Sequence, residues 1–147
     1  MFAGDAHSLI SKEALKGHGS FDADDIARRA QDVDYKNGSQ DPENAYMHAM
    51  RDGVSGESAE HAREQYDRFI ESEIARCTPD GLARALHAAQ DSAASGHKDF
   101  QPWYGGMPSR SHLKGDFFPN GAEWSDAVQK SREVIDRYET RCQCSVH

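Results

Sequence analysis

Residues 57–94, ESAEHAREQYDRFIESEIARCTPDGLARALHAAQDSAA, carry the clearest pattern of secondary structure in the chain. In their first half, apolar side chains recur every three or four residues, which is the spacing of one face of an α-helix. Thr78-Pro79 then supplies a helix N-cap followed by proline at the first helical position. The stretch therefore predicts two consecutive helices, one over about 57–77 and one over about 79–94.

Helical spacing extends towards the N-terminus. Residues 7–16 predict a short helix that stops at Gly17, and a second helix begins at Asp22 as N-cap and ends near Asp34. A loop over 35–39 follows. The pair Asp41-Pro42 then predicts the start of a third helix, which carries His48.

The amino-acid composition changes over residues 95–121, which are rich in glycine, proline and aromatic residues. A loop of this length inside a domain is usually functional or disordered, and its aromatic content favours a packed functional loop. Residues 124–138 predict a closing helix. Together the patterns predict an all-α fold and a single domain over 1–147. We expect a compact bundle of about six helices, with a long aromatic, glycine-rich loop between the last two.

The charge of the chain bears on its partners. The formal net charge is -8 at pH 7. Nucleic acid is usually met by clustered Lys and Arg, so this charge argues weakly against a broad electropositive groove. Bound zinc ions would add positive charge at one spot, so an anionic substrate is not excluded.

The three cysteines are Cys77, Cys142 and Cys144. Their odd number and their spacing do not match a disulfide framework, which predicts a reducing compartment or a disulfide of no consequence. We interpret Cys142 and Cys144 as tail thiols, with a CxC metal site as the weaker alternative.

The chain has no apolar run long enough to span a bilayer and no signal-peptide pattern, so we expect a soluble protein. It begins abruptly, with His7 close to the first residue. This start predicts a domain excised from a longer protein, with its delivery signals outside this sequence.

Histidines and aspartates recur at metal-ligand spacing. His87 and Asp91 are four residues apart on a predicted helix, so both can face one metal ion. His97 follows just past the expected helix end, and His112 and Asp116 repeat the four-residue spacing. Imidazole nitrogen and carboxylate oxygen are zinc ligands, so the sequence predicts a site for more than one zinc ion.

This pattern, HxxxDx(5)H followed by HxxxD, resembles the metal-binding signature of the zinc-dependent phospholipase C and S1/P1 nuclease superfamily. That family is all-helical and holds a trinuclear zinc cluster. Upstream, His7, Asp34 and His48 fall in the family's order and approximate spacing, although Asp32 is a nearby alternative to Asp34.

The resemblance implies two or three zinc ions. The first ion would be bound by Asp34, His48, His87 and Asp91, the second by His97, His112 and Asp116, and a third by Asp91 and His7. The chain departs from the family at the third position, where the family uses the amine and carbonyl of a mature first residue. Here Met1 lies six residues before His7.

The segments YMHAM and HAAQDSAASGHKDFQPW are also similar to toxin domains at the C-termini of Rhs-type polymorphic proteins. This resemblance implies an antibacterial effector that is secreted or delivered into a target cell, for example by type VI secretion. It also implies a cognate immunity protein as partner, which we expect to cover residues 95–121.

We therefore expect a zinc-dependent phosphodiester hydrolase. Asp34 is the candidate catalytic residue, either as a zinc ligand or as the carboxylate that orients the attacking water. A phospholipid substrate is slightly preferred because the chain is acidic and lacks a basic run. The alternatives are an S1/P1-like nuclease, whose aromatic side chains would stack bases, and a non-catalytic domain stabilised by metal.

Overall fold

The computed structural model describes residues 6–106 and 120–143. These residues form five α-helices, which we number Ala6–Ala14 (α1), Ala23–Asp32 (α2), Ala59–Ala75 (α3), Pro79–Asp91 (α4) and Gly121–Cys142 (α5). Short 3-10 helices lie at Val33–Tyr35, Pro42–His48 and Ser95–His97. The predicted compact all-α fold is confirmed. None of the described helices combines the length and the apolar composition needed to cross a bilayer.

Side-chain caps explain where several helices begin. The side chains of Asp22, Ser58, Thr78 and Asn120 each accept a hydrogen bond from the backbone N–H three residues further on. Each such cap satisfies an N–H that has no partner within the helix, and it stabilises the helix by about 1 kcal/mol. Of the caps predicted from the sequence, Asp22 and Thr78 are confirmed.

Helix α4 lies at the centre of the bundle, where it packs against α1, α2, α3 and α5. Nearly all of its residues are buried. The main core is built around it from Ile70, Ile74, Leu82, Leu86, Val134 and Ile135. Because neighbours surround α4 on all sides, its polar residues His87, Gln90 and Asp91 lie in the interior and require polar partners there.

The segment between α2 and α3 differs from the prediction. Pro42–His48 is a 3-10 helix, and the side chain of Asp41 caps nothing there. Ala49 ends it in the left-handed region, at φ 55°. Immediately after this turn, Arg51–Asp52 (β1) pairs in parallel with Pro102–Trp103 (β2). Two-residue strands are too short to show the alternation by which strands are recognised in a sequence.

The largest correction concerns the cysteines. Cys77 and Cys142 form a disulfide, with their Cα atoms 5.5 Å apart. Cys142 is therefore no tail thiol. Helix α5 continues to Cys142, four residues beyond its predicted end, and this extra turn carries Cys142 to the junction of α3 and α4. Cys144 lies outside the described residues.

Candidate metal centre

Helix α4 supplies the first two residues of the site. His87 and Asp91 stand one helical turn apart and are both fully buried. His87 Nε2 lies 3.0 Å from Asp91 Oδ2. The sequence predicted this pairing from the four-residue spacing, and the burial follows from the central position of α4.

Two further side chains reach the same point from the segment between α2 and α3. His48 Nδ1 lies 3.0 Å from Asp91 Oδ2 and 3.1 Å from His87 Nε2. Asp34 Oδ1 lies 3.4 Å from His87 Nε2 and 3.5 Å from His48 Nδ1. Two nitrogens and two carboxylate oxygens therefore converge on one small volume. We call Asp34, His48, His87, Asp91 and the adjacent His7 the histidine–aspartate cluster.

In His87 and His48, the ring nitrogen that points away from the carboxylates has a backbone partner, which fixes where the ring carries its hydrogen. His87 Nδ1 donates to the Ala30 carbonyl over 2.7 Å, and His48 Nε2 lies 3.0 Å from the Ser39 carbonyl oxygen and 2.9 Å from the Ser39 hydroxyl oxygen. Because a carbonyl oxygen can only accept, we assign a hydrogen to both of these nitrogens. In the neutral rings the lone pairs therefore lie on His87 Nε2 and His48 Nδ1, the two nitrogens that face the carboxylates. Metal-bound histidines are typically held in this way.

His7 approaches the other side of Asp91. Its Nε2 lies 3.2 Å from Asp91 Oδ1, while Asp91 Oδ2 faces His48 and His87. The rings of His7 and His87 stack, with their centroids 3.8 Å apart. The two oxygens of the Asp91 carboxylate thus face different histidines, Oδ1 facing His7 and Oδ2 facing His48 and His87.

His97 joins the site from the 3-10 helix that follows α4. Its Nδ1 donates a hydrogen bond to the carbonyl of His48, and its side chain is buried. It borders a pocket of about 20 Å³, which is enough space for roughly one water molecule. The pocket is lined by Asp34, Gln40, Ala45, His48, Met50, His97 and Trp103.

The buried charges of the cluster shift the pKa values of its histidines and aspartates. Burial alone would lower the pKa of His87, but the carboxylates of Asp91 and Asp34 outweigh burial and raise the pKa to about 10. Burial alone would raise the pKa values of both carboxyls, but His87 holds both below their usual value. The pKa of His7 is lowered by burial and by His87. At neutral pH the imidazolium of His87 therefore lies between the carboxylates of Asp34 and Asp91.

The donor set fits a metal cation. Within the described ranges, no Lys or Arg side chain forms an ion pair with Asp34 or Asp91. Asp34 Oδ2 and Asp91 Oδ1 are buried and accept no hydrogen bond among the described residues. Buried carboxylates without full compensation are costly, and imidazole nitrogen with carboxylate oxygen is a ligand set that zinc accepts. These buried His and Asp groups could hold a metal ion.

The structure distinguishes the two aspartates that the sequence offers. Asp34 is buried in the cluster, whereas the Asp32 side chain is 44% exposed and paired with Arg28. His18 contacts Glu139, and His61 is an exposed side chain beside Glu57. His112 and Asp116, the remaining predicted ligands, lie outside the described residues, as does His147.

Sequence reasoning missed Gln40 and Gln90. The Gln40 side chain donates a hydrogen bond to Asp34 Oδ1 over 3.1 Å, and its backbone carbonyl accepts one from the indole N–H of Trp103. Nothing in the sequence around Gln40 indicates this role. Gln90 could have been found, because it lies four residues after Leu86 on the predicted apolar face of α4, where a polar residue requires an internal partner.

Comparison with known proteins adds no relative. No family model matches the chain, and neither the curated proteins nor the solved structures contain a match. The resemblance to the phospholipase C and S1/P1 nuclease superfamily therefore stays a prediction.

Proposed function

We propose that this chain is a zinc-dependent phosphodiester hydrolase whose first zinc ion is held by Asp34, His48, His87 and Asp91. One observation carries the proposal. Two imidazole nitrogens and two carboxylate oxygens of these residues face each other at 3.0–3.5 Å in a buried interior. Two buried carboxylates held this close need positive charge beside them, which a protonated His87 supplies in part and a metal ion would supply in full.

The second nitrogens of the histidines support this assignment. Their hydrogen bonds to the Ala30 and Ser39 carbonyls orient both rings before any ion arrives. A zinc ion in this set would supply Lewis acidity, which would lower the pKa of bound water and draw charge from a phosphoryl oxygen. The His7–Asp91 pair would hold the ion that the resemblance gives as the third, which we call the second ion from here on, and His97 with His112 and Asp116 would hold a further one.

Asp34 is the candidate to handle the attacking water. Its Oδ1 faces His48 and His87, and its side chain borders the small pocket. The Asp34 carboxyl is ionised at neutral pH because His87 lowers its pKa against the effect of burial. A carboxylate of low basicity accepts a hydrogen bond and orients a water more readily than it removes a proton. We assign Asp34 this orienting role in addition to ligation.

For the substrate we propose a phospholipid headgroup, because the chain has a net charge of -8 and no basic run. A nuclease is the second candidate, and exposed aromatic rings favour it. Tyr35 and Tyr104 are 66% and 65% exposed, next in sequence to Asp34 and to the pocket residue Trp103. Rings of this kind can stack unpaired bases.

Elemental analysis of the purified protein, paired with hydrolysis assays, tests the proposal. We expect two or three zinc ions per chain, and we expect Asp91→Ala to lose both zinc and hydrolysis. Asp126→Ala is the matched control, since that carboxylate is half exposed and pairs with Lys130. A wild-type protein without bound metal contradicts the proposal.

Hydrolysis assays on the same preparations identify the substrate. Release of a phosphorylated headgroup from vesicles supports the phospholipase, and degradation of single-stranded DNA or RNA supports the nuclease. Zinc binding without hydrolysis of either substrate would identify the third possibility, a domain that metal only stabilises.

We further propose that the domain acts as an antibacterial effector with a cognate immunity protein. The disulfide supports action in an oxidising compartment. Expression in a bacterial periplasm should therefore inhibit growth, and Asp91→Ala should not. Inhibition by both proteins, or by neither, contradicts the effector role.

A further inference from the structure

Gln90 is a fully buried amide with no part in the proposed chemistry. It stands on α4 immediately before Asp91, and its side chain contacts two neighbouring helices. Its Oε1 lies 2.7 Å from His7 Nδ1, and its Nε2 lies 2.8 Å from Ser11 Oγ and 3.1 Å from Ser131 Oγ. His7, Ser11 and Ser131 are also fully buried.

The serines fix which end of the amide faces His7. Ser131 Oγ donates its hydrogen to the Ala127 carbonyl over 2.7 Å, so it can only accept from Gln90. The amide NH₂ must therefore point to Ser131, and the oxygen must point to His7. Since an amide oxygen only accepts, His7 Nδ1 is the protonated nitrogen. The lone pair of His7 then lies on Nε2, which faces Asp91 Oδ1 at 3.2 Å.

We propose that Gln90 is a positioning residue that fixes the tautomer and the ring orientation of His7, so that His7 Nε2 and Asp91 Oδ1 together bind a second metal ion. The inference rests on the proposed metal function and deepens it. The first ion uses Asp91 Oδ2 and the histidines oriented by Ala30 and Ser39, so it does not depend on Gln90. Gln90 thus controls how many ions the cluster holds.

A role limited to cross-linking α1 and α5 predicts different behaviour. Losing such a cross-link would lower the free energy of unfolding and leave the tautomer of His7 and the zinc stoichiometry unchanged. The tautomer and the zinc count are therefore the decisive readouts. They are measured beside the urea midpoint of each variant.

The test uses Gln90→Leu and Gln90→Glu, with Gln31→Leu as matched control. Gln31 is also a glutamine beside α1, where its Oε1 accepts a hydrogen bond from the backbone N–H of Ser8. Long-range ¹H–¹⁵N spectra of the metal-free protein report which nitrogen of His7 carries the proton. Zinc titration by calorimetry reports the stoichiometry and the affinity of each ion.

We expect hydrogen on Nδ1 of His7 in the wild type and a mixture of tautomers in Gln90→Leu. The second zinc should bind roughly 10- to 100-fold more weakly in that variant, while the first is unchanged. Gln90→Glu retains an acceptor for Nδ1–H and should rescue the tautomer and most of the affinity. Gln31→Leu should match the wild type.

Hydrogen on Nε2 of wild-type His7 overturns the inference, even if Gln90→Leu fails to fold. It is also overturned if folded Gln90→Leu keeps both the wild-type tautomer and the affinity of the second zinc. A wild-type protein that binds no zinc overturns the proposed function and the metal part of this inference, but the tautomer measurement still tests the role of Gln90.

Discussion

Removing the disulfide tests how strongly it ties the end of α5 to the junction of α3 and α4. Cys77 and Cys142 are separated by 65 residues. The loop-closure relation for a cross-link of this length gives about 4 kcal/mol of stabilisation at 25 °C, through the lost entropy of the unfolded chain. Since small domains are stable by about 5–15 kcal/mol, this one bond supplies a large share of the total.

The cleanest comparison is between oxidised and reduced protein in a Cys144→Ser background. Reduction keeps both side chains, and the substitution prevents thiol exchange. With a urea slope of about 2 kcal/mol per molar, the unfolding midpoint should fall by roughly 2 M on reduction. The measurement is made in EDTA so that metal binding does not contribute, and Cys144→Ser alone should match the wild type. Equal midpoints for the two forms, or free thiols at both positions, would show that the disulfide does not stabilise the fold in this way.

Three further outcomes are expected. Zinc at a hundredfold excess over its dissociation constant should stabilise the fold by about 2.7 kcal/mol and raise the melting temperature by roughly 5–11 °C. Calorimetry should show this rise in Asp126→Ala and not in Asp91→Ala, and a rise in both variants would exclude the histidine–aspartate cluster as its source. Because the pKa of His87 is raised to about 10, the ion-free ring keeps a proton at neutral pH that zinc must displace. The apparent affinity should therefore rise about tenfold per pH unit between pH 6 and 8, with proton release seen in buffers of different ionisation enthalpy, and a flat profile would count against His87 as a ligand. Gly81→Ala places a methyl group 2.4 Å from the Glu73 carbonyl oxygen, so urea unfolding should show a loss of about 1–3 kcal/mol, whereas Gly19→Ala, which meets no neighbouring atom, should lose little.

The sequence predicted those parts of the fold that depend on local spacing. The apolar stripe of α3, the Thr78 cap and the four-residue interval between His87 and Asp91 are local features, and the structure reproduces each one. The all-α class followed from them. The 3-10 geometry of Pro42–His48 did not follow from local spacing, because the same side chains are compatible with the first turn of either type of helix.

Features that depend on packing between distant segments were not predictable in the same way. The disulfide required the length of α5, and helix ends are the least reliable part of a sequence-based assignment. The choice between Asp34 and Asp32 required knowing which side of the chain turns inward after α2. Gln90 was visible as a polar residue on an apolar stripe, but its partner His7 lies 83 residues away.

The disulfide and the His7–Asp91 contact close intervals of the chain that overlap. With an ion bound between His7 and Asp91, the shortest bonded route from His7 to Cys142 crosses the ion, returns along α4 to Cys77 and crosses the disulfide. A pulling force on the two ends of the domain would follow that route. Helix α4 lies on that route, whereas the other four helices lie off it.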